Sequence, residues 1–162
     1  MVVEFEPIGS LTEVQVQSAL LAATTAPSLH NSQPWQFNCT PSSFELSADL
    51  SRELRAADPD HREMFLACGA ALLNLRLAIR ALGIAAHVHL MPDPSRPTLL
   101  AVISPGDGVV ATPRDIELAT AIFRRHTNRR PFLDEPVADA ACHKLRQAAR
   151  TEQSWLAVLP ND

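Results

Sequence analysis

The chain has 162 residues, 46% hydrophobic and 20% charged, with a formal net charge of −4. That length suits one globular domain with a real core, and the acidic balance gives no general case for binding nucleic acid or an anionic membrane. Its cysteines, Cys39, Cys68 and Cys142, are odd in number and form no CxxC, which suits a reducing compartment better than a disulfide framework.

The start, Met1-Val2-Val3-Glu4-Phe5-Glu6, is acidic and lacks the basic opening of a signal peptide, so the expected location is cytoplasmic. Thr12 is placed to cap a helix over Glu13–Thr24, with Val14, Val16, Leu20 and Leu21 at its apolar positions and Pro27 ending it. Next comes Ala26-Pro27-Ser28-Leu29-His30-Asn31-Ser32-Gln33-Pro34-Trp35. Two prolines bracket a row of donors and acceptors, a composition that suits a ligand-binding loop. It equally suits a turn that ends a helix over a buried tryptophan.

Strands are expected at Trp35–Cys39 and Phe44–Leu50, around the turn Thr40-Pro41-Ser42, because Phe44, Leu46, Ala48 and Leu50 alternate with Glu45, Ser47 and Asp49. Asp60 and Glu63 have capping-box spacing for a long helix that ends at Gly83. Met64, Ala67, Ala71, Leu75, Ala78 and Leu82 share one face of it, while Phe65, Leu72, Leu73, Leu77 and Ile79 spread apolar character around the rest. Such a helix is a central core element or lies at an interface. Cys68 falls in this pattern and reads as a buried free thiol. Arg76 and Arg80 interrupt the run Leu66–Leu82, which argues against a membrane span.

Ala85–Leu90 and Leu99–Ile103 read as two strands joined by the Pro92–Pro97 turn. His87 and His89 share one strand face; with no third ligand near in sequence, an exposed face fits better than a metal pair. Ser104–Pro113 reads as a linker, followed by helices at Arg114–His126 and Val137–Arg150 and a short strand at Trp155–Leu159. That last strand suggests either a terminal strand or a domain cut partway through. Lys144 is the only lysine, and arginines crowd Arg124-Arg125-His126-Thr127-Asn128-Arg129-Arg130. Arg125-x-Thr127-x-Arg129 can gather guanidinium and hydroxyl donors around one phosphate, or simply solvate a helix end. The chain has no P-loop, GxGxxG or nucleophile elbow.

Two segments together resemble the flavin-dependent nitroreductase family: the loop residues Pro27, Ser28, Asn31, Gln33, Pro34 and Trp35, and the arginine motif Arg125, Thr127 and Arg129. Leu82-Gly83 resembles the family's Leu-Gly turn at the end of a core helix. Typical members place the arginine motif before the loop. The reversed order here, with Cys68-Gly69-Ala70-Ala71-Leu72, is similar to the mycobacterial Acg-like subfamily, which fuses two nitroreductase-like halves. Thr127 stands where the family usually has Ser, and Arg130 is an extra residue before Pro131-Phe132.

The resemblance implies an α+β, nitroreductase-like fold, with an antiparallel or mixed sheet and a long central core helix. It implies a first half over residues 1–113 and the opening of a truncated second half over 114–162. It further implies FMN as cofactor and NAD(P)H as reductant, with ping-pong transfer to a nitro compound, quinone or similar small-molecule electron acceptor. Pro27, Ser28, Leu29 and His30 would line the flavin ring, and Asn31 and Gln33 would brace the loop. Backbone near Gly83 would bond the ring, and Arg125, Thr127 and Arg129 would hold the phosphate. Self-association or a second chain would complete the site, and neither nucleic acid nor membrane is an expected partner. A non-catalytic FMN store and an inactive truncated fragment are the competing readings. The largely apolar helix over residues 60–82 would lack partners in a monomer, which favours association.

Overall fold

A computed structural model describes residues 5–159. Residues 1–4 of the acidic start, and the last three residues, lie outside that range. The chain forms two compact units that meet at Thr127 and Asn128.

The first unit has α+β architecture. Helix α1 (Glu13–Thr24) begins where expected, with a full capping box: the Gln15 amide donates to Thr12 Oγ1 and the Thr12 amide donates to Gln15 Oε1. Strands β1 (Trp35–Cys39) and β2 (Phe44–Ala48) pair antiparallel. Alternation in β2 sends Phe44, Leu46 and Ala48 inward, as the pattern predicts. Leu50 does not continue the strand. It opens a short 3-10 turn, Leu50–Arg52, and is 46% exposed.

Helix α2 (Arg62–Ala81) is the core element. It buries Met64, Ala67, Cys68, Ala71, Leu75 and Ile79, at the helical spacing of one broad face. It is also long and apolar enough to cross a membrane, and it is packed against the sheet and α1. Its cap corrects the sequence expectation. Asp60 does not cap it; Asp58 does, accepting from the Glu63 amide (3.0 Å) and the Met64 amide (2.9 Å). His61, in a left-handed conformation, turns the chain so that Asp58 reaches back under the first turn. Burial pushes the Asp58 carboxyl up, but those amide hydrogen bonds outweigh it and hold the group below the ordinary carboxylate range.

Gly83 ends α2 with φ +75°, a conformation that penalises any side chain. Strands β3 (Ile84–Leu90) and β4 (Leu99–Gly108) follow, completing an all-antiparallel sheet in the order β1-β2-β4-β3. Residues Ser104–Gly108, read from sequence as linker, are strand. They extend β4 beyond the end of β2 and pair only with β3, through Ala86↔Pro105 and Ile84↔Gly108. Pro105 is tolerated there because its missing N–H costs no bond to a second neighbour. His87 and His89 are exposed on β3, and no metal-binding cluster occurs among the described residues. Helix α3 (Pro113–Arg124) packs on α2.

The second unit holds helix α4 (Asp139–Thr151), which buries none of its residues. Trp155–Leu159 is not a strand but coil. Its β-forming side chains have no pairing strand in that unit, and a lone strand does not persist in water.

Candidate functional site

The segment between α1 and β1 is held far more tightly than a connector requires. At its start, Thr25 caps α1, with its hydroxyl on the Ala22 carbonyl (2.7 Å). Ser28 is extended and accepts the Gln33 amide on its Oγ at 2.9 Å, closing a ring of backbone around a short 3-10 turn, Leu29–Asn31. Within that ring His30, Asn31 and Gln33 all take left-handed conformations, with φ of 50°, 58° and 49°. Non-glycine residues rarely do so, and such strain concentrates at ligand sites and switches. Pro27, His30 and Asn31 are exposed, while Ser28, Leu29 and Gln33 are half-buried.

The end of the segment is anchored in the core. The Pro34 carbonyl accepts from the Asp49 amide (2.9 Å) and from the Cys68 thiol (3.4 Å), and Trp35 is buried. Desolvation raises the Cys68 pKa to about 11, so this thiol is a structural donor and not a nucleophile.

Sequence reasoning missed Arg52. Its Nη1 donates to the Ser32 carbonyl (3.3 Å) and the Gln33 carbonyl (3.4 Å), while its Nε faces Asp49 Oδ2 at 3.2 Å. A hydrogen bond from the Ser51 hydroxyl, with help from Arg52, keeps Asp49 below the ordinary carboxylate range. No local pattern announces this contact, because its partners lie 19 and 20 residues apart.

Arg125 comes to the other end of the same segment. It follows the last turn of α3, and its Nη2 donates to the Thr25 carbonyl at 3.2 Å. Its Nη1 lies 3.5 Å from Thr127 Oγ1. The first unit therefore brings Arg125, with Thr127 beside it, to Thr25, two residues ahead of the Pro27–Gln33 loop. Arg129 is exposed and belongs to the second unit.

Gly83 does not join them. The loop lies beside Met64 at the start of α2, and Gly83 lies about 30 Å away along the helix axis. Both of its backbone groups are used inside the unit: its amide donates to Arg80 (3.0 Å) and its carbonyl accepts from Val109 (2.8 Å). Among the described residues no buried side-chain nitrogen or oxygen lacks a partner, so the open donors of this site stand at the surface. That donor set suits a phosphate-ended ligand, since a guanidinium has more N–H groups than Thr25 and Thr127 engage.

No protein-family model matches the chain. It is 42% identical over 122 residues to the Mycobacterium tuberculosis protein named "Putative NAD(P)H nitroreductase Rv3131", covering 75% of this chain and 35% of that one. It is 37% identical over 158 residues to "Putative NAD(P)H nitroreductase acg" of the same organism, covering 96% of this chain and 47% of that one. A putative nitroreductase from Desulfovibrio desulfuricans, solved in complex with FMN, superposes with a TM-score of 0.52 at 19% identity over 83% of this chain and 92% of that one. The chain is nitroreductase-like in sequence and in fold. A putative NADH dehydrogenase/NAD(P)H nitroreductase from Parabacteroides distasonis superposes with a TM-score of 0.50 at 19% identity, over 65% of this chain and 79% of that one. This nitroreductase-like chain spans less than half the length of the curated relatives above.

Proposed function

We propose that this chain carries part of the flavin site of an NAD(P)H-dependent oxidoreductase of the fused, Acg-like kind, acting in the cytoplasm on a small-molecule electron acceptor such as a nitro compound or quinone. The observation that carries this reading is the Arg125 guanidinium on the Thr25 carbonyl, which sets phosphate-type donors at the head of a strained, anchored loop. The names of the mycobacterial relatives and the FMN bound in the Desulfovibrio structure support it.

Bound FMN would supply the hydride and electron chemistry, accepting from NAD(P)H and passing on to the acceptor. Arg125 and Thr127 would bind phosphate oxygens. Arg129 follows two residues later and enters this proposal from sequence spacing alone. Pro27, Ser28, Leu29 and His30 would form the wall facing the ring, with Asn31 and Gln33 presenting amides at its rim. A site of this kind requires no protein nucleophile, consistent with a raised Cys68 and no elbow motif.

The separation of Gly83 from the loop gives a second copy or a second chain a role. In this reading the Gly83 turn serves a site completed by such a partner, and the loop receives the equivalent turn in return. Residues 1–113 would then be the first nitroreductase-like half, and 114–162 the opening of the second.

The test is the visible absorbance spectrum of the purified chain after incubation with FMN and desalting. Retained flavin near one per chain, or one per dimer, supports the site, and bleaching on adding NADPH separates an enzyme from a store. A colourless protein overturns the reading and leaves an inactive fragment.

A further inference from the structure

We propose that Arg52 is the positioning residue of the Ser28–Gln33 loop: its guanidinium, aimed by Asp49, holds the Ser32 and Gln33 carbonyls and so locks the left-handed form of the segment. Three left-handed non-glycine residues within four positions do not persist by local preference, since each is disfavoured relative to an ordinary conformation. Something outside the loop must hold them. The loop's own bonds are few: the Asn31 amide on the Ser28 carbonyl (3.1 Å), the Ser32 amide on the Leu29 carbonyl (3.0 Å) and the Gln33 amide on Ser28 Oγ.

From outside, the turn after β2 supplies three bonds to the end of the segment, and the Cys68 thiol on α2 adds a fourth, to the Pro34 carbonyl. The Asp49 amide takes the Pro34 carbonyl, and the Arg52 side chain takes the two carbonyls before it. Three consecutive carbonyls, those of Ser32, Gln33 and Pro34, are thereby bonded by that one turn. Asp49 sets the guanidinium plane through Nε, so that Nη1 faces the loop. A lysine could supply the charge but not this fixed fork. The same turn also borders the loop's inner side, where Leu29, Ser32, Arg52, Asp58 and Met64 line a small cavity of about 10 Å³.

The consequence for flavin rests on the function proposed above; the clamp itself does not. If His30 and Asn31 meet a ligand, they do so in a geometry set before it arrives, and binding need not supply the ordering cost. Loosening Arg52 would then weaken binding without touching any ligand contact.

The experiment is amide hydrogen exchange on the wild-type chain and on R52A and R52K, read at Asn31, Ser32 and Gln33, with FMN titration and thermal melts alongside. In R52A those amides exchange at least about tenfold faster, with α1 and α2 unchanged and a melting midpoint within a few degrees of wild type. R52K restores only part of the protection, and FMN affinity falls in step with it. Unchanged loop exchange in R52A overturns the proposal, and so does a rise spread evenly over the chain. D49N provides a second route should R52A fold poorly: freeing the guanidinium speeds the same amides by a smaller factor, and no change there counts against the clamp. If loop exchange rises in R52A while neither protein binds FMN, the clamp stands and the flavin reading falls.

Discussion

Helices α2 and α4 both carry apolar residues at helical spacing, yet of the two only α2 belongs to a core. It buries Met64, Ala67, Cys68, Ala71, Leu75 and Ile79 against the sheet and α1, whereas α4 buries nothing. In the second unit Phe132, Trp155 and Leu159 stand 88%, 82% and 81% exposed. Periodicity therefore tells which face a helix would bury, not whether a surface exists to bury it against. The first unit supplies that surface through β2 and β4, whose Phe44, Leu46, Ala101 and Ile103 are all but inaccessible. At 13 residues α4 is near the length at which isolated helices are marginal in water.

The contrast can be broken most forcefully at Leu75. Leu75→Ala leaves a cavity under the sheet and costs about 3 kcal/mol in urea unfolding, whereas Leu145→Ala on α4 changes the same transition by less than about 0.5 kcal/mol. Equal losses would erase the distinction between the units. Gly83→Ala comes next, costing about 1–2 kcal/mol, because alanine resists φ +75° and its Cβ would sit 3.1 Å from the Val109 carbonyl oxygen.

Asp58→Asn tests the cap through pH. The folded carboxyl titrates below its ordinary value, so its contribution is complete above the unfolded pKa and is lost as pH falls through the folded one. Thermal melts should show wild type above D58N at neutral pH and the two converging as pH falls through the lowered pKa of the folded carboxyl; a constant gap would assign the difference to packing alone. Smallest in stability is Arg125→Ala, which leaves the melting midpoint within about a degree, since the side chain is exposed. Its effect belongs to binding: FMN retention after desalting should drop at least about tenfold, a phosphate contact being charge-assisted.

Much of the first unit was legible in the sequence because the signals are local. Thr12 and Gln15 cap within one turn, Gly83 stops a helix by its own freedom, and Phe44, Leu46 and Ala48 alternate in five residues. What escaped depends on distance. Asp58 caps across a left-handed His61, so the familiar spacing pointed instead to Asp60. Ser104–Gly108 looks like linker by its glycines and proline, and becomes strand only because β3 runs beside it. Trp155–Leu159 is the converse, a strand by composition left as coil for want of a neighbour. The loop itself was visible as chemistry, through Pro27, Ser28, Asn31 and Gln33, but its grip by Arg52 and its meeting with Arg125 span 19 to 100 residues.

The Cys68 thiol, protonated at physiological pH and wedged against the Pro34 carbonyl, gives the chain a built-in clock. An alkylating reagent reacts with the thiolate, so it can consume Cys68 only when that contact opens and water enters. With Cys39 and Cys142 replaced by serine, the alkylation rate would time the breathing of the core beneath the loop, residue by residue variant, without any ligand or label in the folded state.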